Sequence, residues 1–134
     1  MIHLDTSFLV DLLRERARSS DGPATGVLDS LLQEPLAISV FVACELEAGV
    51  ELARDPLSER TKVAELLAGL WVDYPEKRFP ATYGKLLAAT RRSGGAVPTM
   101  DLLVGTTAVL ADAVLVTRNP RDFERIPGLT VRAY

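Results

Sequence analysis

Four acidic residues stand where apolar runs end or helical patterns begin. Asp5 follows Met1-Ile2-His3-Leu4, and Glu45 lies in Val42-Ala43-Cys44-Glu45-Leu46-Glu47. Asp101 lies in Pro98-Thr99-Met100-Asp101-Leu102-Leu103, and Asp122 in Val116-Thr117-Arg118-Asn119-Pro120-Arg121-Asp122-Phe123. Converging carboxylates do not all stay ionised without a cation, and hard oxygen donors select a hard ion such as Mg²⁺ or Mn²⁺. The chemistry of such a cluster is metal-assisted hydrolysis of a phosphodiester. Each residue also has a plainer reading. Asp5 suits a helix N-cap, Asp101 the positive end of a helix dipole, and Asn119 and Asp122 a turn. Glu45 has a rival in Glu47, on a different face of the same helical pattern. Thr6 and Thr117 fit beside the carboxylates, orienting Asp5 or a water, and both equally suit ordinary capping. His3, flanked by Ile2 and Leu4, reads as a satisfied sheet residue rather than a general base. Cys44 has no His neighbour and reads as a buried small hydrophobe rather than a nucleophile.

Placing these residues together requires a particular order of elements. The apolar run 2–4 reads as a strand, followed by a helix through Phe8, Leu9, Val10, Leu12 and Leu13. Residues 18–25 read as a loop, and Val27, Leu28, Leu31 and Leu32 recur at helical spacing until Pro35. A buried strand is expected over 36–40, helices over 42–52 and 57–70, and a strand over 71–74 that Pro75 ends. Helices are then expected over 79–90 and 100–110, separated by a Gly-rich turn, with strands over 113–117 and 129–131. Strands alternating with helices predict a parallel α/β sheet with helices on both faces. Ligands of such sheets bind beyond the carboxyl ends of the strands, where Asp5 falls.

Composition narrows the function classes. At 134 residues the chain fits one domain over 1–134 with a sizeable core, without a linker or an internal repeat. Aromatics make up only 6%, which disfavours a base-stacking platform built from many rings. One Cys and one His exclude an internal disulfide and a Cys/His zinc site. No apolar run is long enough to span a bilayer and no signal peptide precedes the first strand, so a cytoplasmic protein is expected. The net charge of −3 becomes +1 once the four candidate ligands are set aside. Arginines also cluster at 14, 16 and 18, at 91 and 92, and at 118, 121 and 125, where local patches matter more for phosphate binding than net charge.

Four blocks of the chain resemble the PIN-domain ribonucleases, specifically VapC-type toxins of type II toxin–antitoxin pairs. They are Ile2-His3-Leu4-Asp5-Thr6-Ser7-Phe8-Leu9-Val10-Asp11-Leu12-Leu13, Ile38-Ser39-Val40-Phe41-Val42-Ala43-Cys44-Glu45-Leu46-Glu47-Ala48-Gly49-Val50, Met100-Asp101-Leu102-Leu103-Val104-Gly105-Thr106-Thr107-Ala108, and the run from Leu115 to Leu129 around Thr117-Arg118-Asn119. They occur in family order, while residues 54–97 match only loosely. The resemblance implies a three-layer α/β/α fold with a five-stranded parallel sheet in the order 3-2-1-4-5. It also implies an Mg²⁺-dependent endoribonuclease, with Mn²⁺ as substitute, that cuts tRNA or another structured RNA and leaves a 5′-phosphate and a 3′-hydroxyl. Asp5, Glu45 and Asp101 match the family's acidic positions, with Asp5 and Asp101 on the principal metal and Glu45 assisting directly or through a water. At the fourth position many relatives carry Asp where this chain has Asn119; its amide oxygen still serves to ligate the ion or hold a water, and Asp122 is the alternative that supplies the missing charge. A VapB-type antitoxin and a homodimer are the expected partners. The rival readings are a DNA-directed phosphoesterase with the same carboxylates and a non-catalytic interaction protein on the same fold.

Overall fold

In a computed structural model describing all residues 1–134, the chain runs β1 (Ile2–Leu4), α1 (Thr6–Ala17), α2 (Pro23–Leu31), β2 (Leu36–Ser39), α3 (Val40–Leu52), α4 (Pro56–Leu67), β3 (Trp71–Asp73), α5 (Phe79–Arg92), α6 (Thr99–Leu110), β4 (Val114–Thr117), a 3₁₀ turn (Pro120–Asp122) and β5 (Thr130–Ala133). The five strands form one parallel sheet ordered β3-β2-β1-β4-β5, as expected. The order reverses beside β1, which pairs with β2 on one side and β4 on the other. Right-handed crossovers put α1 to α4 on one face and α5 and α6 on the other.

Strand alternation agrees with that division. Leu4 lies in a groove with Leu9 and Leu12 of α1, Leu28 of α2 and Leu66 of α4. His3 points the opposite way and is buried, with Nε2 2.7 Å from Asp73 Oδ2. Burial lowers the imidazole's pKa against the opposing pull of the Asp73 carboxylate, so His3 is a neutral, anchored sheet residue. The core is continuous through Leu4, Phe8, Leu9, Ile38, Leu102, Leu115 and Phe123, all essentially inaccessible.

Local chemistry explains where elements begin. Ser39 caps α3 by accepting a hydrogen bond from Val42 N at 3.1 Å, so that helix starts directly after β2 and two residues earlier than periodicity suggests. Asp55 does the same for α4 through Ser58 N at 3.2 Å. Helix α2 starts at Pro23, inside the stretch 18–25 expected as loop. Its first turn is held by a distant side chain: buried Glu15 accepts from Gly22 N (2.8 Å), Ala24 N (3.1 Å) and Thr25 N (2.9 Å). The final strand lies at Thr130–Ala133 rather than 129–131. Cys44 is not buried as expected. It sits two residues from both Val42 and Leu46, which face the core, so helical geometry turns its thiol outward to solvent.

Burial of Glu15 works against its ionisation, but the backbone donors of Thr25, Ala24 and Gly22 outweigh it and hold the pKa below the usual 4.5. A depressed carboxylate pKa stabilises the fold above the unfolded value and loses that contribution as pH falls through the folded one. Glu15→Gln is therefore expected to unfold at lower temperature than the parent at pH 7, at a cost of about 2 kcal/mol. The two melting curves should converge in acid, as measured by circular dichroism from pH 7 down to pH 2.

Candidate active site

The carboxyl ends of β1 and β4, at the strand-order reversal, carry the side chains that fix Asp5. Asp5 follows β1, is 6% exposed and occupies the N-cap position of α1, yet its carboxylate makes no capping bond. It is held instead by two hydroxyls. Thr117 Oγ1, at the end of β4, donates to Asp5 Oδ2 at 2.7 Å, and Ser7 Oγ donates to the same oxygen at 2.9 Å. Both hydroxyls accept a backbone N–H, Thr117 from Asn119 (3.0 Å) and Ser7 from Arg118 (3.1 Å), which aims their protons at Asp5. None of these bonds uses Oδ1. The Asp5 side chain thus caps no helical N–H, and the Thr117 hydroxyl both contacts Asp5 and accepts from the turn that follows β4.

Glu45 stands in the second turn of α3, half-buried, and its Oε1 accepts from Thr6 Oγ1 at 2.6 Å. Thr6 thus orients Glu45 rather than Asp5, while the rival Glu47 is an exposed partner of Arg60 at 2.9 Å. Asp101 lies in the first turn of α6. Burial first, then the charges of Asp5, Asp122 and Glu45, push its carboxyl up to about 6. Asp122 and Asn119 are exposed on the turn after β4, and the Asn119 side chain caps nothing. Further along the same segment Ile126 packs on α6 at Gly105, where an added Cβ would lie 2.6 Å from Ile126 Cδ1.

The four carboxylates from four segments share one electrostatic field. No Lys, Arg or His forms an ion pair with Asp5, Glu45, Asp101 or Asp122, although seven such contacts occur elsewhere. No three acidic, His or Cys side chains stand close enough to enclose one ion by themselves. An all-oxygen donor set without a counter-cation fits Mg²⁺ or Mn²⁺, ions usually held by one or two carboxylates with water completing the shell.

Sequence reasoning missed Ser7, and it missed a second cluster beside the site. Asp11 of α1 accepts from Arg118 NH1 (2.7 Å) on Oδ1 and from Tyr134 OH (2.7 Å) on Oδ2. The Asp5-Thr6-Ser7 spacing carried a signal for Ser7, a hydroxyl two residues beyond a carboxylate. Nothing local points from Asp11 to a tyrosine at position 134.

The fold is that of known proteins. The PIN domain family matches residues 2–129. Ribonuclease VapC19 of Mycobacterium tuberculosis is 33% identical over 129 residues, 94% of each chain, and Ribonuclease VapC2 of Rickettsia felis is 31% identical over 94 residues, 70% of each. The crystal structure of VapBC2 from Rickettsia felis bound to a promoter DNA fragment contains a chain that superposes with a TM-score of 0.90 at 26% identity, covering 100% of this chain and 99% of that one. The chain belongs to the PIN-domain family, among the VapC ribonucleases.

A carboxyl group whose folded pKa is raised opposes folding when ionised, and the penalty disappears below the unfolded value. In metal-free protein, Asp101→Asn is expected to raise the melting temperature by a few degrees at pH 8. The difference from the parent should close below about pH 4, where both positions are neutral. Calorimetry across that range checks it.

Proposed function

We propose that this chain is a divalent-metal-dependent endoribonuclease, the toxin of a toxin–antitoxin pair, which hydrolyses tRNA or another structured RNA with water as nucleophile. The observation that carries the reading is the set of four carboxylates left without a cation at the sheet's reversal point, in a chain related to VapC ribonucleases. Asp5 and Asp101 would hold Mg²⁺, or Mn²⁺ in its place, with Glu45, Asp122 and Asn119 reaching the ion directly or through water. The bound ion supplies charge neutralisation at the scissile phosphate and a more acidic water. The chain's own groups do the positioning. Ser7 and Thr117 fix one oxygen of Asp5 and leave the other for binding, and Thr6 holds Glu45 at the edge of the cleft. Asp101, whose carboxyl is pushed up to about 6, would hold the ion as a carboxylate, its proton passing to solvent water. No side-chain nucleophile is required, which fits His3 and Cys44 both lying outside the cluster.

A VapB-type antitoxin is the proposed partner. A groove of about 280 Å³ between α1, α3 and α4, lined by Val10, Leu13, Leu46 and Val63, ends at Thr6 and Glu45. An apolar segment of the antitoxin seated there would bring a basic side chain to the carboxylates and suppress cleavage. A homodimer is proposed as well: Leu52, Leu57, Trp71 and Tyr74 are each at least 70% exposed, more large apolar surface than one chain needs.

Incubating the purified chain with total RNA in Mg²⁺ tests the activity. Discrete cleavage that EDTA abolishes is expected, and Asp5→Asn and Asp101→Asn should each lower the rate by at least about a hundredfold while keeping the parent circular dichroism spectrum. Parent-rate cutting by either variant would overturn the assignment. The fourth position has its own readout. Asp122→Ala should raise the Mn²⁺ concentration needed for half-maximal cleavage and Asn119→Asp should lower it, because a charged oxygen binds a hard ion more strongly than an amide. An unchanged requirement in both would leave the turn without a ligand.

A further inference from the structure

We propose that Arg118 is a phosphate-binding residue at the rim of this site, held ready for the RNA backbone by Asp11 and Tyr134; the inference rests on the ribonuclease reading above. Arg118 immediately follows Thr117, and its backbone N–H donates to Ser7 Oγ at 3.1 Å, one hydroxyl removed from Asp5. Its main chain is therefore fixed to the carboxylate cluster itself. Its side chain is fixed separately. NH1 lies 2.7 Å from Asp11 Oδ1, and Asp11 Oδ2 accepts from Tyr134 OH at 2.7 Å. The Tyr134 ring stands edge-on to Phe8, 5.1 Å between centroids, and Phe8 is fully buried. A chain of contacts from the core thus ends on one guanidinium.

A structural ion pair would be complete at this point, but the charges do not balance. Arg14 NH1 also approaches Asp11 Oδ1, at 3.8 Å, so two guanidiniums face one carboxylate. Tyr134 adds no compensating charge, because burial and the neighbouring Asp11 push its phenol pKa up and keep it protonated. Among the side chains, two guanidiniums stand against the one carboxylate of Asp11. Asp11 is 18% exposed at its side chain and Arg118 46%, so the carboxylate is covered while the guanidinium is still reached by solvent. Four unneutralised carboxylates repel a polyanion, and a cation at their edge offsets that repulsion for a phosphate flanking the scissile one. A planar guanidinium suits phosphate oxygens, and one already immobilised loses little freedom on binding.

The test uses the full chain with the substitutions Arg118→Met, Arg118→Lys and Tyr134→Phe. Affinity for a short fluorescein-labelled single-stranded RNA is read by anisotropy as NaCl is varied, and cleavage kinetics are read in Mg²⁺. Losing one phosphate contact should make the slope of log affinity against log salt shallower by about 0.7 in Arg118→Met. The same variant should raise KM about tenfold and leave kcat within about twofold. Arg118→Lys should keep the parent salt slope with an intermediate KM. Tyr134→Phe should raise KM with the slope unchanged, since it loosens the guanidinium without removing its charge. A purely structural clip would lower the melting temperature and leave slope and KM at parent values, and that result overturns the proposal. If Arg118→Met does not fold, KM in the Lys and Phe variants decides between the same two outcomes. A parent protein that cuts RNA alongside an Arg118→Met of parent KM sinks this inference alone. A parent that neither binds nor cuts RNA sinks the ribonuclease reading and this inference with it.

Discussion

A carboxylate that no cation neutralises must be oriented by neutral donors, and the site is organised around that requirement at Asp5. The Thr117 and Ser7 hydroxyls converge on a single oxygen of Asp5, one from the end of β4 and one from the first turn of α1. Each hydroxyl is itself aimed by a main-chain N–H from the segment after β4. The arrangement binds the ends of the two central strands through a group that keeps its negative charge. An arginine in place of the hydroxyls would hold the same geometry but cancel the field the site depends on.

The sheet topology makes this possible at low cost. Because β1 lies between β2 and β4, the connections leaving β1 and β4 diverge and open a cleft between them. Glu45 enters from α3, after β2, and Asp101 enters from the start of α6, whose dipole favours a negative charge. Gly105, one turn beyond Asp101, leaves room for Ile126, four residues past Asp122. Asp101 registers the result in its raised pKa, to which burial contributes most and the charges of Asp5, Asp122 and Glu45 add.

Much of this architecture is legible in the amino-acid sequence. Alternating apolar runs and helical periods are local signals, so five strands and six helices are readable, as are the acids at their ends. The misplaced boundaries have local physical causes of another kind: Ser39 starts α3 early through its hydroxyl, and α2 starts inside an expected loop because Glu15, seven residues before Gly22, supplies its cap. Cys44 defeats the expectation of burial because apolar content does not set burial in a helix whose core face is defined by Val42, Leu46 and Val50. The partner of Thr6 and the Asp11–Arg118–Tyr134 cluster depend on contacts up to 123 residues apart, which no periodicity encodes.

The outward thiol of Cys44 has a practical consequence. It is the chain's only sulfhydryl, it is exposed, and it is covalently adjacent to Glu45. A fluorophore attached through it would therefore occupy a single defined place on the outer face of α3, one residue from the cleft, without any engineered cysteine. Changes in its emission would follow ions or macromolecules arriving at the cleft, and a disulfide between two copies of this sequence would have to join them through that helix.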